Sequence, residues 1–437
     1  MNYELISPRS ANSTIGQILI NRGISPNEIN HYLYTSKTDI LDPSIIQNIR
    51  DGARMLVSHI KQNHKIHIQV DSDADGYTSA ALLINYLNCL FPGFVQNNIS
   101  YSLHKGKQHG IDITSFDADR IALVIAPDSS SNEYEIHQSL HEEGIDVLII
   151  DHHEAEKISE YACVINNQLC DYPTKSLSGV GMVYKFCCYL DSLLQVDYAS
   201  RFLDLVALGM VADMMDLRDF ETKHLISLGM KQINNPYFKA MVAKQNFSLG
   251  GAVTPIGIAF YIAPFVNAVT RSGTMEEKLI LFEAMLDFKG YECIPSTKRG
   301  CSGQMETRVE QACRNCTNIK NRQTKTRDAS LEIIEQLIED KHLLDNQILI
   351  ITLDKEHSIE KNLAGLIANQ LMSKYQKPSL VLSMTEHDGE IWWEGSARNT
   401  ERSSLEDLRA YLEDTGLVEY AEGHASAFGV GIKDTQL

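Results

Sequence analysis

The chain has 437 residues, more than one ordinary domain holds, and its length points to two or three domains. At 43% hydrophobic and 22% charged residues it sits near the globular average, which excludes wholesale disorder and collagen-like repeats. A formal net charge of −18 would repel nucleic acid from an evenly acidic surface, so any polyanionic substrate needs a local positive channel or bound cations.

There is no 18-residue run of uncharged apolar residues and no basic-plus-apolar N-terminal signal, so neither a membrane span nor secretion is supported. The nine cysteines, an odd number with Cys187 and Cys188 adjacent, read as a reducing, cytoplasmic setting rather than a disulfide framework.

In chain order, the first sixty residues read as helical, with a turn at Gly23 and Pro26, a new segment at Asp42-Pro43, and helical apolar spacing through Ile46, Ile49, Met55, Leu56 and Ile60. Residues 66–70 then alternate like a strand, a glycine turn follows, and 79–90 reads as a helix. Strand-like runs recur at 122–126 and 147–150 with helix-like sequence between them, a spacing that implies right-handed βαβ units and a parallel sheet. Residues 203–211 are apolar on nearly every side, as in a buried helix. A helical connector region is expected over 226–335. A second, smaller α/β pattern follows over 336–437, with strands at 347–352, 379–383 and 390–395 and a helix at 363–375. No fixed-period repeat is present.

Acids fall where three of these strands end. Asp71, Asp73 and Asp75 follow the first, Asp128 the second, and Asp151-His152-His153 the third. In an open parallel sheet ligands bind beyond the carboxyl ends of the strands, and several carboxylates crowded there are incompatible unless cations sit among them. Asp213, at the end of the apolar helix, is a fourth contributor, costly there unless paired or coordinating. An oxygen-rich set with one or two imidazoles and no nearby thiolate suits Mn²⁺ or Mg²⁺, with imidazole favouring Mn²⁺. Two such ions about 3.5–4 Å apart activate a water and clamp a phosphoryl group for in-line attack. His152 and His153, being adjacent, point in different directions, so His152 is read as a ligand and His153 as a phosphate contact or proton-transfer group. Two blander readings compete. The run from Asp71 to Gly76 begins like a calcium loop but has Leu82 where that loop needs Glu, and for any single strand-end Asp the competing reading is a helix N-cap.

These segments resemble the signature motifs of the DHH phosphoesterase superfamily: Asp71-Ser-Asp73-Ala-Asp75-Gly76, Asp128, Asp151-His152-His153 and Val211-Ala212-Asp213. The branch they look most like is the RecJ-type single-strand-specific 5′→3′ exonucleases. Similar to that branch are also Ser178-Gly179-Val180-Gly181, the run from Ile262 to Arg271, Gly395-Ser396-Ala397-Arg398, Glu422-Gly423-His424, and the N-terminal Asn21-Arg22-Gly23-Ile24 with Asp42-Pro43. The resemblance implies a parallel-sheet DHH domain, with the N-terminal helices, over 1–225. It implies a helical connector over 226–335 and an α/β DHH-associated domain over 336–437, with single-stranded nucleic acid threaded between the two α/β domains. It implies ligation of two Mn²⁺ or Mg²⁺ ions by Asp71, Asp73, Asp128, His152 and Asp213. Asp75 and Asp151 serve as supporting acids and, with His153, complete the catalytic set. Phosphate contacts fall to His153, Asn267, Arg271, Ser396, Arg398 and His424. Replication and repair proteins are implied partners.

The chain departs from the pattern at Val70 (usually Gly), Phe265 (usually Arg) and Glu422 (usually Gly), which bears on the DNA path more than on the metal chemistry. It ends just after the G-G-H region, so the oligonucleotide-binding barrel of many RecJ proteins is expected to be missing, either because this is a compact, phage-like form or because the chain is a fragment.

Four further signals stay open. Residues 293–327 carry eight Lys/Arg against Glu306 and Glu310, which reads as a basic helix for the strand or as a solvated connector face. Cys293, Cys301, Cys313 and Cys316 share that stretch, where structural zinc is a minor alternative. The segment Ser178–Gly181 could present backbone N–H groups to an anion or serve close packing. Lys105, Lys107 and His109 precede Gly110 in a loop near the same sheet edge, as phosphate contacts or plain polar residues. The activity expected is exonucleolytic hydrolysis of single-stranded DNA to 5′-mononucleotides. The alternatives are a phosphodiesterase acting on oligoribonucleotides or cyclic dinucleotides and, from another class, a non-catalytic scaffold, disfavoured because all five candidate ligands are present.

Overall fold

The computed structural model describes residues 13–106, 108–387, 389–400 and 402–437, so the helical expectation for residues 1–12 and the loop reading at Lys107 lie outside the described residues. The chain divides into two compact units, the first ending at Thr317 and the second running from Asn318 to Leu437. That division falls inside one helix, Arg308–Asp340. The boundaries 225/226 and 335/336 remain a proposal beside it.

The first unit is built on a five-stranded, wholly parallel sheet in the order β2-β1-β3-β4-β5, with β1 Ile66–Val70, β2 Ile99–Leu103, β3 Leu123–Pro127, β4 Asp146–Asp151 and β5 Cys163–Asn166. Every residue of β1 and β3 is buried, as a sheet covered on both faces requires. Strand order reverses between β1 and β3, because β2 lies on one side of β1 and β3 on the other. The crevice beyond their carboxyl ends is therefore the topological switch point. The short strands β2 and β5 were not legible in the sequence; β5 has only four residues and follows no clear alternation.

Helix Ala74–Leu90 packs between helices Gly179–Leu194 and Leu203–Ala212, and its residues 74–87 are all buried. The helix expected from 79 thus begins five residues earlier, directly behind the aspartates. Helix Leu203–Ala212 is buried from Asp204 to Val211, as its all-round apolar sequence implies. The region after 225 is helical but also contains a small antiparallel pair, β6 Cys293–Pro295 and β7 Met305–Thr307.

The second unit has a five-stranded sheet in the order β11-β12-β10-β9-β8, with β8 Leu349–Leu353, β9 Ser379–His387, β10 Glu390–Arg398, β11 Tyr420–His424 and β12 Ala427–Lys433. Only β8 and β9 pair in parallel. One face is filled by Leu380, Leu382, Trp393, Ala397, Phe428, Val430 and Ile432. On the other face Leu349, Ile351, Leu353 and Val381 pack with Leu363, Ile367 and Leu371. Strands β11 and β12 escaped the sequence reading because the positions of β12 that alternate with Phe428, Val430 and Ile432 include Gly429 and Gly431, residues of low strand propensity. Gly431 is needed there, since a Cβ would lie 2.2 Å from Tyr420 Cε1.

Among the described residues no helix is long and apolar enough to cross a membrane. None of the nine cysteines is in a disulfide. A buried ion pair ties the first unit together. Lys185 Nζ lies 2.7 Å from Glu221 Oε1, with side-chain exposures of 0% and 1%. Tyr172 Oη donates to both Glu221 oxygens at 2.8 and 3.0 Å, the Leu41 N–H donates to Oε1 at 3.1 Å, and the Leu41 carbonyl accepts from Lys185. Removing one partner strands the other charge in the core. Lys185→Met is therefore expected to lower unfolding free energy by about 3–5 kcal/mol in urea titrations followed by circular dichroism. The double variant Lys185→Met/Glu221→Met should regain most of that loss.

Candidate metal centre

The site is assembled where β1, β3 and β4 end. Behind β1, Asp73 caps helix 74–90, its Oδ1 accepting the Gly76 N–H at 3.0 Å. Asp71 precedes it, buried. Position 76 must be glycine, because a Cβ would stand 2.5 Å from Asp71 Cβ and 2.8 Å from its carbonyl oxygen. A strand, not a helix, enters this loop and Leu82 is buried in the following helix, so the calcium-loop reading is excluded.

Asp75 turns away from its neighbours to the start of helix 179–194. It accepts Ser178 Oγ at 2.8 Å, the Gly179 N–H at 2.7 Å and the Val180 N–H at 3.2 Å. Two N–H groups of the Ser178–Gly181 segment, those of Gly179 and Val180, thus do bind an anion, and the anion is this carboxylate. Close approach is the second reason for glycine there. A Cβ at Gly179 would lie 2.2 Å from Asp128 Oδ1, and one at Gly209 would lie 2.4 Å from Asp75 Oδ1. Both sequence readings of that segment hold together.

Asp128 follows β3 in the left-handed region at φ 69°, a conformation Asp tolerates better than most residues. Its N–H donates to the Ile150 carbonyl at 2.8 Å, fixing it to the end of β4. Its Oδ1 is fully buried and receives no well-aligned hydrogen bond; His152 Nε2 stands 3.3 Å from it. The same nitrogen is 3.5 Å from Asp213 Oδ2 and 4.0 Å from Asp75 Oδ2. Asp213 arrives as the C-cap residue of helix 203–212.

The two histidines differ. Burial first, then the charge of His153, pushes His152 down to about 4, leaving it a neutral lone-pair donor. Burial alone would also lower His153, but Nδ1 lies 2.8 Å from Asp151 Oδ1, and that carboxylate raises it to about 9. Asp151 is held well below the usual carboxylate range. Burial opposes this, but the hydrogen bond and charge of His153, the charge of His152 and the Ser131 contact outweigh it. Asp151 also accepts the His152 and Ser131 N–H groups, at 2.7 and 3.1 Å. It therefore orients the pair.

The remaining acids move the other way. Burial, then repulsion from Asp75 and Asp73, pushes Asp213 up to about 8. Burial and Asp73 push Asp75 up to about 6. Asp128 is raised well above its ordinary value by burial and by Asp75, Asp73 and Asp71. Carboxylates so packed resist full ionisation unless cations join them. Donor atoms fall into three groups, each within 4.8 Å: Asp128, Asp151, His152 and His153; Asp75, His152 and Asp213; Asp71, Asp73 and Asp128. Asp128 belongs to two groups and could bridge two ions. The donor set and the unaligned buried oxygen of Asp128 both fit hard divalent cations with a borderline imidazole.

On helix Ala263–Ser272, Asn267 Oδ1 accepts the Ala74 N–H at 3.0 Å, so its oxygen serves the start of helix 74–90. Arg271 is largely desolvated, which lowers its pKa, while the charge of Asp73 opposes that shift. In the second unit the register sets Arg398 and His424 on either side of Ala427, and Ser396 and Glu422 on either side of Gly429, so the four share one sheet face. Gly365, unmarked in the sequence, makes room for this set. A Cβ there would lie 2.7 Å from Arg398 Nη2.

Of the loop before Gly110, His109 reaches the centre. Its Nδ1 is 2.8 Å from Asp71 Oδ1 and its ring stands edge-on to His153, centroids 5.0 Å apart. Burial would lower its pKa, but the Asp71 contact leaves it raised. The sequence signal was faint, a single imidazole in a polar loop on the sheet edge that carries the aspartates.

Two signals left open by the sequence are narrowed by the structure. No metal-competent group among the described residues includes a cysteine, and Cys316 Sγ instead meets Tyr237 Oη at 3.3 Å inside the core, so structural zinc is not supported. Three of the eight cations in the basic stretch are held in ion pairs. Arg308 pairs with Glu283 at 2.9 Å and Glu292 at 2.6 Å, Arg314 pairs with Glu306, and Arg327 pairs with Asp328 at 2.6 Å. Acids from outside the stretch, invisible to a local count, fold back onto it.

The model of the DHH family, N-terminal domain, matches residues 65–210. An SPbeta prophage-derived protein of Bacillus subtilis, YorK, provisionally named a single-strand DNA-specific exonuclease, is 38% identical over 443 residues, covering 100% of this chain and 75% of YorK. The single-stranded-DNA-specific exonuclease RecJ of the same organism is 24% identical over 96% of this chain, which spans 50% of RecJ. A crystal structure of exonuclease RecJ bound to manganese has a TM-score of 0.68 at 18% identity, over 89% of this chain and 91% of that one. RecJ of Thermus thermophilus in complex with Mn²⁺ also gives 0.68, over 94% of this chain and 57% of that one. At such identities these likenesses establish the fold.

Crowded carboxylates destabilise a metal-free protein. Asp128→Asn, stripped with EDTA, is therefore expected to melt above the stripped wild type. Mn²⁺ should stabilise the wild type, by about 2.7 kcal/mol at a hundred times its Kd, and leave Asp128→Asn nearly unmoved in differential scanning calorimetry. Gly179→Ala, which pushes the Asp128 carboxylate aside, should lower turnover about 100-fold, the loss expected of a misplacement near 1 Å.

Proposed function

The chain belongs to the DHH phosphoesterase family, in its RecJ-like branch, and from that premise we propose that it is a 5′→3′ exonuclease degrading single-stranded DNA to 5′-mononucleotides. Membership makes it a metal-dependent hydrolase, with Mn²⁺ or Mg²⁺ as the ions. In this reading Asp71, Asp73, Asp128, His152 and Asp213 hold two of them. One observation carries it: the buried Asp128 Oδ1, lacking an aligned hydrogen bond, faces the neutral His152 Nε2 amid carboxylates whose pKa values rise.

The bound ions would supply an activated water and counter-charge for the phosphoryl group. The protein's own groups divide the other tasks. Asp75 gives both its oxygens to the start of helix 179–194, which sets the spacing between that helix and the strand end. Asp151 keeps His153 protonated and aimed, so that His153 donates to a phosphate oxygen at the scissile position. Arg271, beside Asp73, adds a desolvated positive charge to the same crevice. Asn267 fixes the first turn that carries Asp73 and Asp75. Ser396, Arg398 and His424 of the second unit contact phosphates of the strand. DNA rather than RNA is preferred because YorK and RecJ carry that substrate in their names. A place in DNA repair or recombination, alongside replication and repair proteins, goes with this activity.

Digestion of end-labelled single-stranded DNA and RNA with Mn²⁺, with and without a 5′-phosphate, tests the reading. Mononucleotides should appear from the 5′ end of DNA and vanish with EDTA. Turnover confined to short oligoribonucleotides or cyclic dinucleotides would overturn it. His152→Ala should keep its circular dichroism spectrum and lose about 10³-fold or more in kcat, several kcal/mol of transition-state stabilisation.

A further inference from the structure

The segment joining β2 to β3 is fastened at both ends of a short span. Lys278, on helix Met275–Ala284, is 1% exposed, and its Nζ donates to the carbonyls of His104 and Lys105 at 2.9 Å and of Gly106 at 3.5 Å. Burying an ammonium group demands partners, and no carboxylate faces this one among the described residues. It is committed to one loop. On the far side Glu133 accepts the Ile111 N–H at 2.9 Å and Gln69 Oε1 accepts the Asp112 N–H at 3.1 Å. Between these anchors Gly110 takes φ 83° against Glu133, where a Cβ would meet Oε1 at 1.8 Å. What the fastened span carries is His109, whose Nδ1 lies 2.8 Å from the buried Asp71 Oδ1, an ion-pair contact without the alignment of a hydrogen bond.

We propose that His109 is a positioning residue of the metal centre. Its Nδ1 fixes one oxygen of Asp71 so that the carboxylate meets an ion in a single orientation, and Lys278 holds the loop that presents it. This rests on the metal-dependent reading above. Two imidazole–carboxylate pairs then frame the centre in opposite senses. Asp151 orients the imidazole of His153, while the imidazole of His109 orients Asp71. Groups that hold a ligand from behind govern metal affinity without touching the ion, and their loss weakens binding by about 10–100-fold. A free carboxylate rotates, and an anchored one is pre-organised.

Isothermal titration of the chelator-stripped full chain with Mn²⁺ tests the proposal on wild type, His109→Ala, His109→Asn and Lys278→Met. The alanine variant should bind Mn²⁺ about 10–100-fold more weakly yet melt like the stripped wild type, since the side chain is half-exposed. Asparagine, which keeps an N–H donor near the Nδ1 position, should recover most of the affinity. Lys278→Met should reproduce the weakening from a distance, and if it fails to fold the two His109 variants decide. Wild-type affinity in His109→Ala, or asparagine no better than alanine, overturns the positioning role while leaving the metal centre standing. Failure of the wild type itself to bind Mn²⁺ overturns the metal-dependent reading, and the positioning role falls with it.

Discussion

The constraint on which the rest depends is mutual repulsion. Asp71, Asp73, Asp75, Asp128 and Asp213 are gathered at the switch point of a parallel sheet, most of them buried, and three of them, Asp75, Asp128 and Asp213, lie within 4.0 Å of one imidazole nitrogen. A core arranged for stability alone would not place them so, because burial and like charge both disfavour their ionised forms. The architecture separates the acids by what answers them. Asp75 is answered by a helix N-terminus and a hydroxyl, and Asp151 by His153 and backbone N–H groups. Asp128 and Asp213 have no such answer, and they flank His152, the imidazole that burial keeps neutral. Residual electrostatic strain is concentrated where a divalent ion would relieve it.

Glycine is what lets the acids come so close. At positions 76, 179 and 209 an added Cβ would stand within 2.5 Å of a side-chain atom of Asp71, Asp128 or Asp75. The three lie on different helices, so the same steric demand is met independently on three sides of the centre. Helix packing and charge packing are therefore one problem in this molecule. Moving a helix by the width of a methyl group moves a carboxylate with it.

Much of this was legible in the chain. Strand β1 stands where residues 66–70 alternate, β3 and β4 lie within one residue of their expected limits, and the five candidate ligands with Asp75, Asp151 and His153 converge as the strand-end argument requires. That argument works because a parallel strand has one functional end, so position along the chain becomes position in space. It fails where the deciding contacts are long-range. Glu283 and Glu292 neutralise Arg308 from outside the basic run, and Lys278 reaches the His104 carbonyl from 174 residues away. Strand β12 was hidden by its own glycines, which lower strand propensity where a neighbour needs the space.

With Arg308, Arg314 and Arg327 of the basic run held in ion pairs, a chain at −18 needs counter-charge for a polyanion at the centre itself. Among the described residues of the first unit, the groups that bring positive charge to the centre include His153, held protonated by Asp151, Arg271, set against Asp73, and His109, whose pKa the Asp71 contact raises. Each is compensated by a carboxylate, so none gives the crevice a net positive field. Divalent ions among the carboxylates would reverse its sign, and the field they create acts over about one Debye length, some 8 Å at physiological salt, enough to reach a scissile phosphate and little further. Metal and strand would then bind in order rather than independently, because the group that makes the carboxylates compatible with one another also makes them compatible with a phosphate.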